Sequence, residues 1–184
     1  VIGSGTILDT ARFRFLLGQH FKIETHSIHG YIIGEHGDSQ VPVWSLANIA
    51  GMRLEEFSRL NNNPLDSSSR KMIAENTRRA AYEIIRRKGA TYYAIAAGLV
   101  RIIEAIVRDE NSVLTVSGVV NGIHDLPDVA LSLPCVINRQ GITSTLDLPL
   151  SQEEETGLQQ SARVLRDAIQ SLDLTNRISI GSIP

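Results

Sequence analysis

Apolar and polar positions along the chain alternate between helical and extended periods. Residues 6–17 carry Leu8, Ala11 and Phe15 at helical spacing, which predicts a helix with that face inward. Residues 27–33 (SIHGYII) read as a strand. It runs into Gly34-Glu35-His36-Gly37-Asp38-Ser39, where two glycines and small polar residues mark a loop. Residues 41–49 are apolar and predicted to be buried, with Trp44 as an anchor, and Asn61-Asn62-Asn63-Pro64 is a break. A long helix is expected over residues 66–87, capped by Asp66, Ser67 or Ser68 and ended at Lys88-Gly89. A second, over residues 91–108, places Ile95, Leu99, Ile102, Ile103 and Ile106 in one apolar stripe. Three β-like runs follow, at 112–120, 129–138 and 143–150, with Asn138-Arg139-Gln140-Gly141 as a turn before the last. Ser151-Gln152-Glu153-Glu154 is a capping box for a helix reaching residue 172, and residues 178–184 read as a loose tail. The mixture predicts an α+β fold, an antiparallel sheet with long covering helices, as one domain over residues 1–184.

Composition narrows the function classes. At 184 residues and 42% hydrophobic, the chain is long enough to bury one sizeable core. A net charge of −2 gives no bulk electrostatic case for nucleic acid or an anionic membrane. No apolar run reaches the roughly 20 residues that span a bilayer. The lone Cys135 has no internal disulfide partner, which suits a reducing cytoplasm. The first residues lack the basic start and apolar segment of a signal peptide. With no initiator Met, and Val1-Ile2-Gly3 reading as a strand end, the start looks like an interior cut in a longer protein.

Several residues carry candidate chemistry. Asp9 and Arg12, three apart, share a helix face; they are either a surface ion pair or a guanidinium fork for a carboxylate, with Asp9 free for another partner. His36 sits in a glycine-flanked loop at a strand end, where a histidine is either without a task or a proton donor and acceptor near neutral pH. Lys88-Gly89-Ala90-Thr91 is a helix start whose threonine hydroxyl stands near a ligand or serves the turn alone. Arg14 points about 200° around the helix from Arg12 and belongs to another face. With His29 it is either solvated charge or an anion site at a subunit contact. Val1-Ile2-Gly3-Ser4-Gly5 resembles the opening of a dinucleotide fingerprint, but Leu8 holds the third glycine position, so this match is rejected. His20, His26, His29, His36 and Cys135 show no metal-ligand spacing, and no metal is expected.

Taken together, these segments resemble L-lactate dehydrogenases. Gly3-Ser4-Gly5-Thr6-Ile7-Leu8-Asp9-Thr10-Ala11-Arg12-Phe13-Arg14 is similar to the family's stretch with the catalytic Asp and the substrate-binding Arg. Gly34-Glu35-His36-Gly37-Asp38-Ser39 is similar to its catalytic histidine loop, and Lys88-Gly89-Ala90-Thr91 to its substrate-pocket segment. Ser132-Leu133-Pro134-Cys135 and Asn138-Arg139-Gln140-Gly141-Ile142 fit its C-terminal sheet. The resemblance spans essentially the whole chain. It implies His36 as proton donor to pyruvate, Asp9 as its partner, Arg12 on the substrate carboxylate and Thr91 near the substrate methyl. It implies Ser4 and Ile95 at the nicotinamide end of NAD. In bacterial members that respond to fructose 1,6-bisphosphate, an Arg and a His at the positions of Arg14 and His29 bind its phosphates across a subunit interface, so an allosteric homotetramer in the cytoplasm is implied.

The resemblance also places a Rossmann domain before Val1, with the pyrophosphate loop and the mobile loop that separates pyruvate from oxaloacetate. Without it, no useful dehydrogenase activity is expected of these 184 residues. The rivals are a lactate-dehydrogenase-like malate dehydrogenase, a 2-hydroxyisocaproate dehydrogenase and an inactive fragment kept for assembly. Arg14 and His29 weigh against the first two, and intact Asp9, Arg12 and His36 against the third.

Overall fold

A computed structural model describes residues 1–172 apart from 121, 125 and 127; the expected tail at 178–184 lies outside the described residues. Helix α1 (Ile7–Phe21) is followed by a 3-10 turn, Thr25–Ser27, and five two-residue strands. These are β1 (Ile28–His29), β2 (Ile32–Ile33), β3 (Val41–Pro42), β4 (Asn48–Ile49) and β5 (Met52–Arg53). β2 pairs antiparallel with β3, and β4 lies between β1 and β5. Helices α2 (Leu54–Leu60), α3 (Ser67–Lys88) and α4 (Tyr93–Val107) come next. An antiparallel sheet of β6 (Ser112–Val120), β7 (Val129–Asn138) and β8 (Gly141–Thr145) follows, in that order, and helix α5 (Gln152–Ser171) packs against β7. This is the expected antiparallel sheet with long covering helices.

Two helices, α3 and α5, start where a short polar side chain satisfies a free N–H group. Of the three cap candidates for α3, Asp66 does the work, accepting from Ser69 N at 2.7 Å, and Gly89 stands at the other end. At α5, Ser151 and Glu154 form the reciprocal capping box.

Three expectations need correction. On α1 the buried face differs from the one its spacing predicts: Ala11 and Phe15 are exposed, whereas Asp9, Phe13, Leu17 and Phe21 are buried. This i, i+4 track wins because it puts aromatic rings into the core, Phe13 edge-on to Trp44 and Phe21 edge-on to Phe57. The stripe on α4 also splits. Ile102 is buried, but Leu99 and Ile103 are 46% and 56% exposed. The buried track is Gly98, Ile102 and Ala105, whose two small residues allow close packing; Gly98 lies against Ile7 and Leu8 of α1. Finally, β8 covers 141–145 rather than 143–150. Beyond it Leu146 N–H makes one more bond to Pro134 O of β7 at 2.9 Å, and Leu146, Leu148 and Leu150 join a core cluster with Leu131, Leu133 and Leu158.

That short β8 matters for the site. It pairs only with the C-terminal part of β7, from Cys135 onward. The edge at Ser132 is therefore open, and Gly34 occupies it through two backbone hydrogen bonds of 2.8 and 2.9 Å. Among the described residues, no helix is long and apolar enough to cross a membrane.

Candidate active site

The start of α1 and the Gly34–Ser39 loop are fixed to the same sheet. Gly3 pairs with Ser117 of β6 through two 2.9 Å backbone bonds. Thr6 N–H donates to the buried Ser132 hydroxyl at 3.1 Å, while the Thr6 hydroxyl donates to Ile32 O at 2.5 Å. Thr10 brackets Ile32 again, accepting from its N–H at 3.0 Å, and lies 2.9 Å from the Thr115 hydroxyl. Buried polar groups must find partners, and these hydroxyls find them in each other and in β2. The first turn of α1 is thereby held beside the strand that leads into the loop.

Gly5 explains the rejected nucleotide fingerprint. Its φ is +51°, and a Cβ there would lie 2.2 Å from Ser132 Oγ. The glycine admits the sheet rather than a phosphate.

Asp9, Arg12 and His36 converge. Asp9 is 2% exposed, so its contact with Arg12 is not a surface ion pair. Arg12 Nη1 stands 3.5 Å from Asp9 Oδ1, with the Arg12 side chain 18% exposed. The other carboxylate oxygen, Oδ2, lies 2.6 Å from His36 Nδ1, and the His36 side chain is 50% exposed. The Asp9 hydrogen bond raises the His36 pKa above the ordinary histidine value; partial burial and the nearby Arg12 cation oppose it, and the Asp9 and Glu35 charges reinforce it. The result is an imidazole whose Nδ1 is engaged by a buried carboxylate and whose ring reaches solvent, with the Arg12 guanidinium on the other oxygen of the same carboxylate.

The other expected residues have surroundings of their own. Thr91 precedes α4 and lines a cavity of about 160 Å³ with Ile84, Tyr92 and Tyr93. On α4 itself, Ile95 is partly buried and Gly98 is buried against Ile7 and Leu8 of α1. Ser4 is partly buried beside Gly5, which together with His36, Gly34 and Ser117 lines a cavity of about 260 Å³. Among the described residues, no hydrogen bond joins Ser4, Thr91 or Ile95 to His36.

Arg14 has different partners from Arg12, as its angle predicts. Its Nε donates to Gly30 O at 2.9 Å, its guanidinium lies 5.5 Å from the Tyr31 ring centroid, and burial lowers its pKa. It lines a cavity of about 330 Å³ with Arg101, His26 and Tyr31. His29 is exposed on β1 and is not among the lining residues. Among the described residues, no three His, Cys, Asp or Glu side chains form a metal-binding group.

Sequence reasoning missed Thr6, Thr10, Thr115, Ser132 and Ser161, all buried hydroxyl residues. Their long-range pairings leave no trace in local periodicity. Glu154 was read only as a cap, yet its carboxylate also accepts from Ser45 N at 2.9 Å and Ser45 Oγ at 2.5 Å.

A buried carboxylate thus joins a histidine and an arginine beside an antiparallel sheet covered by helices. The chain belongs to the lactate/malate dehydrogenase family, alpha/beta C-terminal domain, whose model matches residues 6–173. It is 52% identical over 174 residues to an L-lactate dehydrogenase of Thermoanaerobacter sp. (strain X514), covering 95% of this chain and 56% of that one. It is 52% identical over 172 residues to the L-lactate dehydrogenase of Synechococcus sp. (strain JA-3-3Ab), covering 94% and 55%. Among solved structures, a lactate dehydrogenase from a Medee basin deep-sea metagenome library superposes with a TM-score of 0.89 at 41% identity, over 92% of this chain and 54% of that one. The minor L-lactate dehydrogenase of Enterococcus mundtii gives 0.89 at 36% identity, over 95% and 55%. The chain thus spans little more than half the length of these relatives.

Proposed function

We propose that residues 1–184 are the substrate-binding and proton-transferring domain of an NAD-dependent enzyme that interconverts pyruvate and L-lactate. The observation that carries this reading is the 2.6 Å contact between His36 Nδ1 and buried Asp9, with Arg12 beside it. Donation from Nδ1–H to the carboxylate fixes the tautomer and leaves Nε2 to hold the working proton. In reduction, Nε2–H donates to the carbonyl oxygen as negative charge develops there; in oxidation, Nε2 takes the proton from the lactate hydroxyl. Arg12 holds the substrate carboxylate through two parallel hydrogen bonds, and Thr91 lines the pocket around the methyl group.

NAD, when bound, gives or takes up the hydride. In this proposal its nicotinamide end lies at Ser4, whose neighbour Gly5 lines the cavity of about 260 Å³ beside His36, and at Ile95, a partly buried apolar residue on α4. The pyrophosphate and adenosine are assigned to a nucleotide-binding domain outside these residues, in keeping with the greater length of the relatives.

Arg14 and His29 form the fructose 1,6-bisphosphate site of a homotetramer in this proposal, placed in the cytoplasm with glycolysis. Support comes from Arg14 bonding the carbonyl of Gly30, the neighbour of His29. Facing cationic groups repel until an anion joins them, which gives the effector its preference for the assembled state.

The test is NADH consumption by the protein made from its full reading frame, with pyruvate, oxaloacetate or 2-oxoisocaproate, each with and without fructose 1,6-bisphosphate. Preference for pyruvate and stimulation by the effector support the proposal. Preference for oxaloacetate or 2-oxoisocaproate reassigns the substrate to a malate or 2-hydroxyisocaproate enzyme, with Asp9, Arg12 and His36 keeping their roles.

A further inference from the structure

The Gly34–Ser39 loop is closed by a serine from the far end of the chain. Ser161 lies on α5, is fully buried, and is 126 residues from Glu35. Its Oγ accepts from Glu35 N–H at 2.6 Å and lies 3.2 Å from Ser39 Oγ. The Ser39 hydroxyl also bonds the Glu35 carboxylate, which accepts from Ser39 N–H at 3.3 Å as well. Ser39 has one hydroxyl proton, and the carboxylate takes it, so the proton between the two serines comes from Ser161. A closed ring results: Glu35 N–H to Ser161, Ser161 O–H to Ser39, and Ser39 O–H to the Glu35 carboxylate. His36 is the residue immediately after the first donor in this ring.

The surroundings are built around that hydroxyl. Gly34 has a φ of +90°, and a Cβ there would stand 2.5 Å from Ser161 Oγ. On its other side Gly34 is paired to Ser132, whose hydroxyl accepts from the turn that starts the Asp9 helix. The loop is thus clamped between β7 and α5, with His36 projecting from the clamped segment toward Asp9. A satisfied hydrogen-bond ring of this kind, fully buried at Ser161 and part-buried at Glu35 and Ser39, rigidifies the segment it closes.

We propose that Ser161 is a positioning residue for His36, holding the loop backbone so that the imidazole meets Asp9 in the proton-transferring orientation. This rests on the reading of His36 as the proton donor. Ser161 touches neither substrate nor cofactor in this assignment; it acts through Glu35 and Ser39.

The experiment compares wild type, Ser161→Ala and Ser161→Cys by ring NMR of His36 and amide exchange at Glu35, with thermal melting alongside. Loss of one hydrogen bond is expected to speed Glu35 exchange in Ser161→Ala by about tenfold. The His36 titration should move down toward the ordinary histidine value, and Ser161→Cys, which keeps the volume and a weak acceptor, should fall between the two. In the protein from its full reading frame, Ser161→Ala should lower kcat by about tenfold while KM for the 2-oxo acid holds. Unchanged His36 titration and unchanged Glu35 exchange in both variants would overturn the proposal, even if melting shifts. Failure of the proton-donor reading shows separately: His36→Asn would keep full activity while the Ser161 variants still moved the His36 titration.

Discussion

Replacing Glu154 by Gln probes the docking of α5, on which the His36 loop depends. The carboxylate is 6% exposed and accepts from Ser45 N at 2.9 Å, Ser45 Oγ at 2.5 Å and Ser151 N at 2.8 Å. It thereby ties the segment after β3 to the first turn of α5. A hydrogen bond to a charged group contributes about 1.5–3 kcal/mol net. The amide keeps one acceptor oxygen but presents an NH₂ to buried N–H donors, so it loses at least one such bond and leaves a donor unpaired. The expected cost is about 3 kcal/mol, which for a domain of this size corresponds to a melting point lower by about 6–12 °C. Burial pushes the Glu154 carboxyl up, but the bonds from Ser45 and Ser151 outweigh it and hold it below the ordinary range. A depressed carboxyl stabilises the fold above the unfolded pKa of about 4.3 and loses that contribution as pH falls through the folded value. The gap between wild type and variant should hold from pH 7 to 5 and close below about pH 4. Trp44, the single tryptophan, packs on Phe13 next to this segment and reports unfolding by fluorescence. A gap under about 2 °C, or one that persists unchanged in acid, would refute the reasoning.

Further outcomes follow from the same geometry. His36 should titrate above the ordinary histidine value by NMR, and Asp9→Asn should bring it down. Because that pKa is raised on folding, its contribution to stability is complete below about pH 6.5 and is lost as pH rises through the folded value. Gly34→Ala forces a left-handed φ on a residue with a Cβ and drives it against Ser161, so chemical denaturation should show a loss above about 2 kcal/mol. Phe13→Ala removes a fully buried ring and should cost about 3–5 kcal/mol in the same assay. Burial raises the Cys135 thiol pKa, so a thiol reagent at pH 8 should label native protein far more slowly than unfolded protein.

The long sheet strands and the α3 and α5 boundaries were legible because their signals are local: alternation across 112–120 and 129–138, Asp66 and Ser151 as caps, Gly89 as a stop. The faces of α1 and α4 were not. On α1, Leu8, Ala11 and Phe15 on one face and Phe13, Leu17 and Phe21 on another each recur at helical spacing, and on α4 Ile102 and Ile103 fall in one apolar stripe, so only tertiary partners decide which side is buried. For the site, the motif residues Asp9, Arg12 and His36 could be named from order and spacing. What holds them together could not, since Ser132 and Ser161 each act on residues 126 positions away. The pairing of His29 with Arg14 comes from the family resemblance alone: within one chain His29 is exposed on β1, and the cavity at Arg14 is lined by His26 and Arg101.

The most direct measurement is kcat/KM for NADH-dependent pyruvate reduction by the protein from its full reading frame, in wild type and His36→Asn. A positioned general acid contributes about 10²–10⁴-fold, so the variant should fall by that factor while keeping its fold. Undiminished activity in His36→Asn would contradict the proton-transfer role on which the functional reading rests.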